Sequence, residues 1–256
     1  MTTASVGAEF RVEDVLRTYR SGGLQGQPYI ADKVVVAGKE YGALEPPAAD
    51  FDTFVAEMTI ITKRNRNPMV ADIIARNSPR LWDLVRMVNA NTKVGYGGAA
   101  ARGDRLLFNP LEPRDLGSAG GFPGTTPPTT WYRSVTAIGG RRLWPDANTI
   151  DLTISSLAVL GHVYFGFVNP VAVPKANIIQ LVLDGDAWAE EGLDWEWRES
   201  YGDTETPVYE LKMPWVIRPG ASYRINTRDY ISGDERLIPI GFSVKRGRDI
   251  IASLAT

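Results

Sequence analysis

Cysteine is absent from this chain, and histidine occurs once, as His162. The first absence removes disulfide frameworks and thiolate metal sites, although it does not fix a compartment. The second removes any zinc site built on a pair of histidines. A large excess of one charge is also missing. The formal net charge is -2 over 256 residues, so no global attraction toward nucleic acid or an anionic membrane is expected. No uninterrupted apolar run approaches the roughly 20 residues of a membrane-spanning helix. The opening stretch, MTTASVGAEFRVEDVLRTYR, lacks the basic segment and apolar run of a secretory signal. The expectation is a soluble protein synthesised in a cytoplasm, without a membrane span and not exported by the usual route.

Apolar side chains are plentiful. They make up 44% of the chain, enough to form a real core in one large β-rich domain or two small ones. Phe10 to Tyr19 carries Phe10, Val12, Val15, Leu16 and Tyr19 and predicts a short helix closed by Ser21-Gly22-Gly23. Ala31 to Ala37 predicts a strand. Phe51 to Thr62 is apolar with a period ambiguous between helix and strand. Asn67-Pro68 and Ser78-Pro79 each read as a capping residue followed by proline at the first helical position. One broken helix or two short ones are therefore expected over about 68–90.

Between Lys63 and Arg86 there are six basic residues (Lys63, Arg64, Arg66, Arg76, Arg80, Arg86) against two acidic ones (Asp72, Asp83). Solvated helix faces are the favoured reading of 63–86; nucleic acid or an acidic protein partner is the less favoured one. Residues 95–130 are rich in glycine and proline and read as a long loop or linker, which places a boundary near residue 125. The two regions are then 1–125, an N-terminal arm with short helices and this linker, and 126–256, an antiparallel β-sandwich.

From Trp131 the pattern is β: short apolar stretches at 131–138, 149–160, 162–168 and 178–183, separated by turn residues. The stretch Leu211 to Arg246 is the most informative. Val216-Ile217 leads into Arg218-Pro219-Gly220, a turn in which proline fixes one dihedral and glycine permits a positive φ. Ala221, Tyr223 and Ile225 then alternate onto one face. After Ser232-Gly233-Asp234-Glu235, the residues Ile238, Ile240, Phe242 and Val244 share a face of a closing strand. Pro239 cannot donate to a ladder, so this strand is expected to start late or lie at an edge.

No catalytic constellation stands out, and neither an enzyme nor a cofactor is expected. Gly95-Tyr96-Gly97-Gly98-Ala99-Ala100 has a dinucleotide-like spacing, but a helix-like segment precedes it where a strand is required. Arg102-Gly103-Asp104 reads as loop. His162, among Val163, Tyr164 and Phe165, has no nucleophile motif beside it and reads as structural.

Asp184 to Glu205 holds nine acids (Asp184, Asp186, Glu190, Glu191, Asp194, Glu196, Glu199, Asp203, Glu205) and one base (Arg198), with Trp188, Trp195 and Trp197 interleaved. It reads as an acidic loop, anchored to the core by its tryptophans or docked on a basic surface. Carboxylates beside indole rings also suit sugar binding or cleavage, and Asp184 with Asp186 could hold Ca²⁺. Residues 211–249 carry eight bases and four acids, for a local charge of plus four. Two such patches can pair between copies and set their register, or pair within one chain. Arg218, Arg224, Arg228, Asp184 and Asp186 are the charged interface candidates. Phe122, Trp131, Trp188, Trp195, Trp197 and Trp215 are the aromatic ones, each equally explicable as core.

The pattern Met213-Pro214-Trp215-Val216-Ile217-Arg218-Pro219-Gly220-Ala221-Ser222-Tyr223-Arg224-Ile225, followed by the closing strand, resembles jelly-roll structural proteins of bacterial and archaeal viruses. The resemblance covers the C-terminal half only. It implies a mainly β, antiparallel jelly-roll-type sandwich in a capsid-shell subunit. That subunit would be made in the host cytoplasm, would assemble with copies of itself and other virion proteins, and would reside in the virion. The alternative is a carbohydrate-binding or glycoside-cleaving β-sandwich using the tryptophans and carboxylates of 186–199.

Overall fold

A computed structural model describes residues 11–20, 33–36, 39–42, 48–92, 106–112, 132–135, 148–149, 159–170, 176–184, 186–193, 208–218, 221–230 and 233–246. The protein is mainly β, with antiparallel sheets and helices before them. The helices are α1 (Val12–Arg20), α2 (Ala48–Arg64) and α3 (Pro68–Thr92). The strands are β1 (Lys33–Val36), β2 (Lys39–Gly42), β3 (Leu106–Pro110), β4 (Tyr132–Val135), β5 (Asn148–Thr149), β6 (Val159–Val168), β7 (Ala176–Leu183), β8 (Asp186–Gly192), β9 (Val208–Ile217), β10 (Ser222–Tyr230), β11 (Gly233–Arg236) and β12 (Ile238–Arg246).

α2 resolves the ambiguous period of 51–62 as helical. Phe51, Phe54 and Met58 recur at helical spacing and are buried, while Asp52, Ala56, Ile60 and Arg64 form an exposed stripe at intervals of four. α3 begins as its sequence predicts. Asn67 Oδ1 accepts from the backbone N–H groups of Met69 (3.0 Å) and Val70 (3.3 Å), ahead of Pro68 at the first helical position.

The second expected start does not occur, and α3 runs through Pro79 for 25 residues. Proline removes the N–H that would reach the carbonyl of Ala75, but the buried Ser78 hydroxyl donates to that carbonyl at 2.8 Å. The residue that looked like a cap is instead the replacement donor.

Two four-stranded sheets follow, in the orders β3-β12-β6-β9 and β5-β10-β7-β8. All of their pairings are antiparallel, and the pairs nest: β3 with β12, β4 with β11, β5 with β10, β6 with β9, β7 with β8. Apart from the β7–β8 hairpin, successive strands of the two sheets alternate between them.

The facing sides share one core of Tyr164 and Phe167 from β6, Ile179 and Leu181 from β7, Trp215 and Ile217 from β9, and Tyr223 and Ile225 from β10. The opposite face of the first sheet packs against the helices. There Phe54, Trp82, Phe108, Phe242 and Phe165 form a chain of aromatic contacts with centroids 4.9–5.9 Å apart. The order of layers is helices, first sheet, second sheet. The first sheet is therefore buried on both faces.

Leu106–Pro110 lies inside the stretch expected to be linker, yet it is strand β3 and pairs with β12. A glycine-rich flank hid a five-residue strand. The expected boundary near 125 falls outside the described residues. Pro239 also needs correction, because β12 is interior to its sheet and starts at Ile238. Among the described residues β3 pairs only from Phe242 onward and β6 is the single neighbour at Pro239, so the strand is locally an edge there. Ala221, Tyr223 and Ile225 do share a buried face, as do Ile240, Phe242 and Val244.

Candidate functional site

One cluster of buried polar groups lies between the sheets. His162 of β6 uses Nδ1 to bond the Tyr223 hydroxyl of β10, and that hydroxyl bonds the Tyr164 hydroxyl at 2.6 Å. Ser243 sits opposite His162 in the β12–β6 register, and Lys245 is buried beyond it. Burial first, and the Lys245 charge second, lower the His162 pKa from 6.5 to about 3. The ring is thus neutral near pH 7 and a poor proton acceptor. Nε2 has no hydrogen-bond partner among the described residues. The cluster ties one sheet to the other, in keeping with a structural histidine.

The histidine is fully buried. Trp215 packs on Tyr164 and Phe167 with centroids 6.3 and 5.9 Å away and is only 1% exposed. Its candidacy as an interface anchor ends there, since it belongs to the core.

Among the described residues β8 ends the second sheet and β9 ends the first, and these two edges lie side by side. Tyr209 Oη donates to Glu191 Oε2 at 2.9 Å, and Lys212 Nζ is 3.9 Å from the same oxygen, which joins the two edges. Each edge is blunted. In β8, Ala187 pairs with Val182 and Ala189 with Leu181, so Trp188 is an extra residue without a register partner. That bulge leaves Trp188 50% exposed. In β9, Tyr164 pairs with Trp215 and Gly166 with Glu210, so Leu211 to Pro214 form a bulge without register partners on β6. Met213 is 53% exposed there, beside the exposed Lys212. Bulges, proline and charge are features that discourage strand-by-strand addition at a sheet edge.

Asp186–Gly192 is therefore a strand, where an acidic loop was expected. Asp184, with φ 52, occupies the turn before it, and Asp-Gly is a favoured composition for a two-residue hairpin link. Asp184 Oδ2 accepts from Arg218 Nη2 at 3.3 Å. That pair and the Lys212–Glu191 pair join the 184–205 and 211–249 segments within one chain, the intramolecular alternative. Among the described residues no group of three metal-ligating side chains is gathered.

The basic region 63–86 divides in two. Arg76 is held by Asp72 (3.1 Å) and Glu210 (2.9 Å), and Arg80 by Asp83 (3.6 Å). Lys63, Arg64 and Arg66 remain exposed at the α2–α3 turn. Lys63 reaches Glu13 at 4.0 Å, and no ion pair among the described residues engages Arg64 or Arg66. Ile60, 48% exposed, and Met69, 38% exposed, flank them. The sequence drew attention to the bases but not to these apolar neighbours. Only the exposed stripe of α2 would have found Ile60.

Asp186 and Trp188 are thus exposed on β8, and Arg218 is exposed beside Asp184. Arg224 and Arg228 lie on β10 opposite Val182 and Ile178, with only their backbone described. Phe122, Trp131, Trp195 and Trp197 lie outside the described residues. Among the described residues no helix is long and apolar enough to cross a membrane. Comparison with protein-family models and with curated proteins finds no match.

Proposed function

We propose that this protein is a jelly-roll structural subunit that assembles with copies of itself into a virion shell. The observation that carries the reading is the nested pairing of the strands. A jelly roll can be described as one long antiparallel ribbon wrapped into two facing sheets, with its first strand beside its last. Numbering the eight strands of the two sheets along the chain gives the orders 1-8-3-6 and 2-7-4-5, which is what such wrapping produces. The fold alone does not name a function, because jelly rolls also serve as lectins and metal-binding enzymes. The surface and interior favour a building block. The core between the sheets packs aliphatic side chains around Tyr164, Phe167, Trp215 and Tyr223, and exposed apolar residues sit among charges of opposite sign at separate places.

Electron microscopy of the purified protein tests this reading. Regular closed or sheet-like assemblies are expected. Uniform single chains under every condition would contradict it.

A second reading draws on Trp188, which stands exposed on the same strand as Asp186 and Glu190. An indole face beside carboxylates suits a sugar ring. In that case a glycan array yields a ligand whose binding quenches tryptophan fluorescence and is lost in Trp188→Ala. A silent array removes the reading.

A further inference from the structure

We propose that the acidic β8 edge of one copy docks on the basic α2–α3 corner of the next copy, in a repeating head-to-tail contact. The proposal rests on the shell reading and names the contact that would build it. Both surfaces have the same plan. Trp188 is an exposed apolar centre with Asp186 and Glu190 around it on β8, and no basic residue occurs from Ala176 to Gly192. Ile60 and Met69 are exposed apolar centres with Lys63, Arg64 and Arg66 between them, and no acidic residue occurs from Met58 to Ala71.

An apolar centre with a charged rim is the anatomy of a specific interface, and rims of opposite sign set orientation and suppress wrong pairings. Like faces repel, so β8 against β8 and corner against corner are both disfavoured. The remaining pairing is heterologous, and such a contact continues from copy to copy until it closes. Side chains must carry it, because the bulge in β8 discourages strand addition. The bases of 63–66 are well suited to an outside partner. Arg76 and Arg80 are paired with acids of the same chain, whereas Arg64 and Arg66 have no ion-pair partner among the described residues.

Two charge-reversed proteins test the contact: Arg64→Glu with Arg66→Glu, and Asp186→Lys with Glu190→Lys. Each alone presents like charges at both faces. The concentration at half-assembly should rise by about tenfold or more in each. An equimolar mixture should assemble again, because each variant then meets a partner of opposite sign. Two reversed proteins that assemble like the wild type overturn the contact.

Should either reversed protein fail to fold by circular dichroism, Trp188→Ser and Ile60→Ser take its place. Each must raise the same concentration, and no change in either overturns the proposal. Loss of binding to a labelled oligonucleotide in Arg64→Glu with Arg66→Glu, with assembly unchanged, would make the corner a nucleic-acid site and also overturn it. Large assemblies indifferent to reversal remove the contact and leave the shell reading standing. Short oligomers restored by mixing support the contact and remove the shell. A wild-type chain that stays single removes both.

Discussion

A methyl group would not fit at Gly166 or Gly241. A Cβ at Gly166 would lie 2.2 Å from the Tyr209 carbonyl oxygen, and one at Gly241 would lie 2.2 Å from the Val163 carbonyl oxygen. Both glycines sit at register shifts in the first sheet, where backbones come unusually close. Gly166→Ala and Gly241→Ala should each lose about 1–3 kcal/mol in urea titration, because the obstacle is backbone and cannot move aside cheaply. The tryptophans separate by burial. Trp215→Ala should cost about 3–5 kcal/mol, whereas Trp188→Ala should stay within about 0.5 kcal/mol and affect association instead.

His162 makes stability depend on pH. Its folded pKa of about 3 lies below its ordinary 6.5, so the unfolded chain takes up the proton first as pH falls. The contribution of the neutral ring is complete above 6.5 and is lost progressively down to about 3. Between pH 6.5 and 5, above most carboxylate titration, wild-type stability should fall by up to about 1.4 kcal/mol per unit. His162→Gln should be flatter over that window. Equal slopes would mean that the buried histidine is not the titrating group.

At the scale of the element, α3 offers a direct test of how a proline is tolerated inside a helix. Ser78→Ala leaves the buried Ala75 carbonyl without its donor and should cost about 1–3 kcal/mol. In a Pro79→Ala background the restored N–H can reach that carbonyl, so the same serine change should cost much less. A cycle of denaturation measurements on the single and double variants reads the difference, and equal costs would contradict the replacement role.

The same helix marks the limit of what the sequence disclosed. Ser-Pro is a good start signal locally, and only the long-range burial of Leu81, Trp82 and Val85 against the sheet overrides it. The alternation in 221–225 and 240–244 was legible because the apolar side chains of each segment fall on one face, while the other face of 240–245 is buried but carries Gly241, Ser243 and Lys245. β8 was not legible, since its acidic composition masks a strand that is stabilised by pairing with β7. The short β3, in a glycine- and proline-rich flank, depends likewise on its partner β12. His162 was readable as structural from its apolar neighbours. Its hydroxyl partner Tyr223, in a different strand, was not.

At the scale of the molecule, the helices and the second sheet cover opposite faces of the first sheet, and the β8 and β9 edges are blunted by bulges, proline and charge. Association at these two edges must then proceed through side-chain surfaces, and the proposed ones are rich in charge. An assembly held this way weakens as salt screens it, since the Debye length shrinks from about 10 Å at 0.1 M to about 3 Å at 1 M. The central claim is that this sandwich is a self-assembling subunit. Light scattering of the purified protein across concentration and ionic strength tests it most directly. A self-assembling subunit should show a mass many times that of one chain at low salt, rising with concentration and falling toward the single chain as salt is added. A mass of one chain at every concentration and every salt would contradict it.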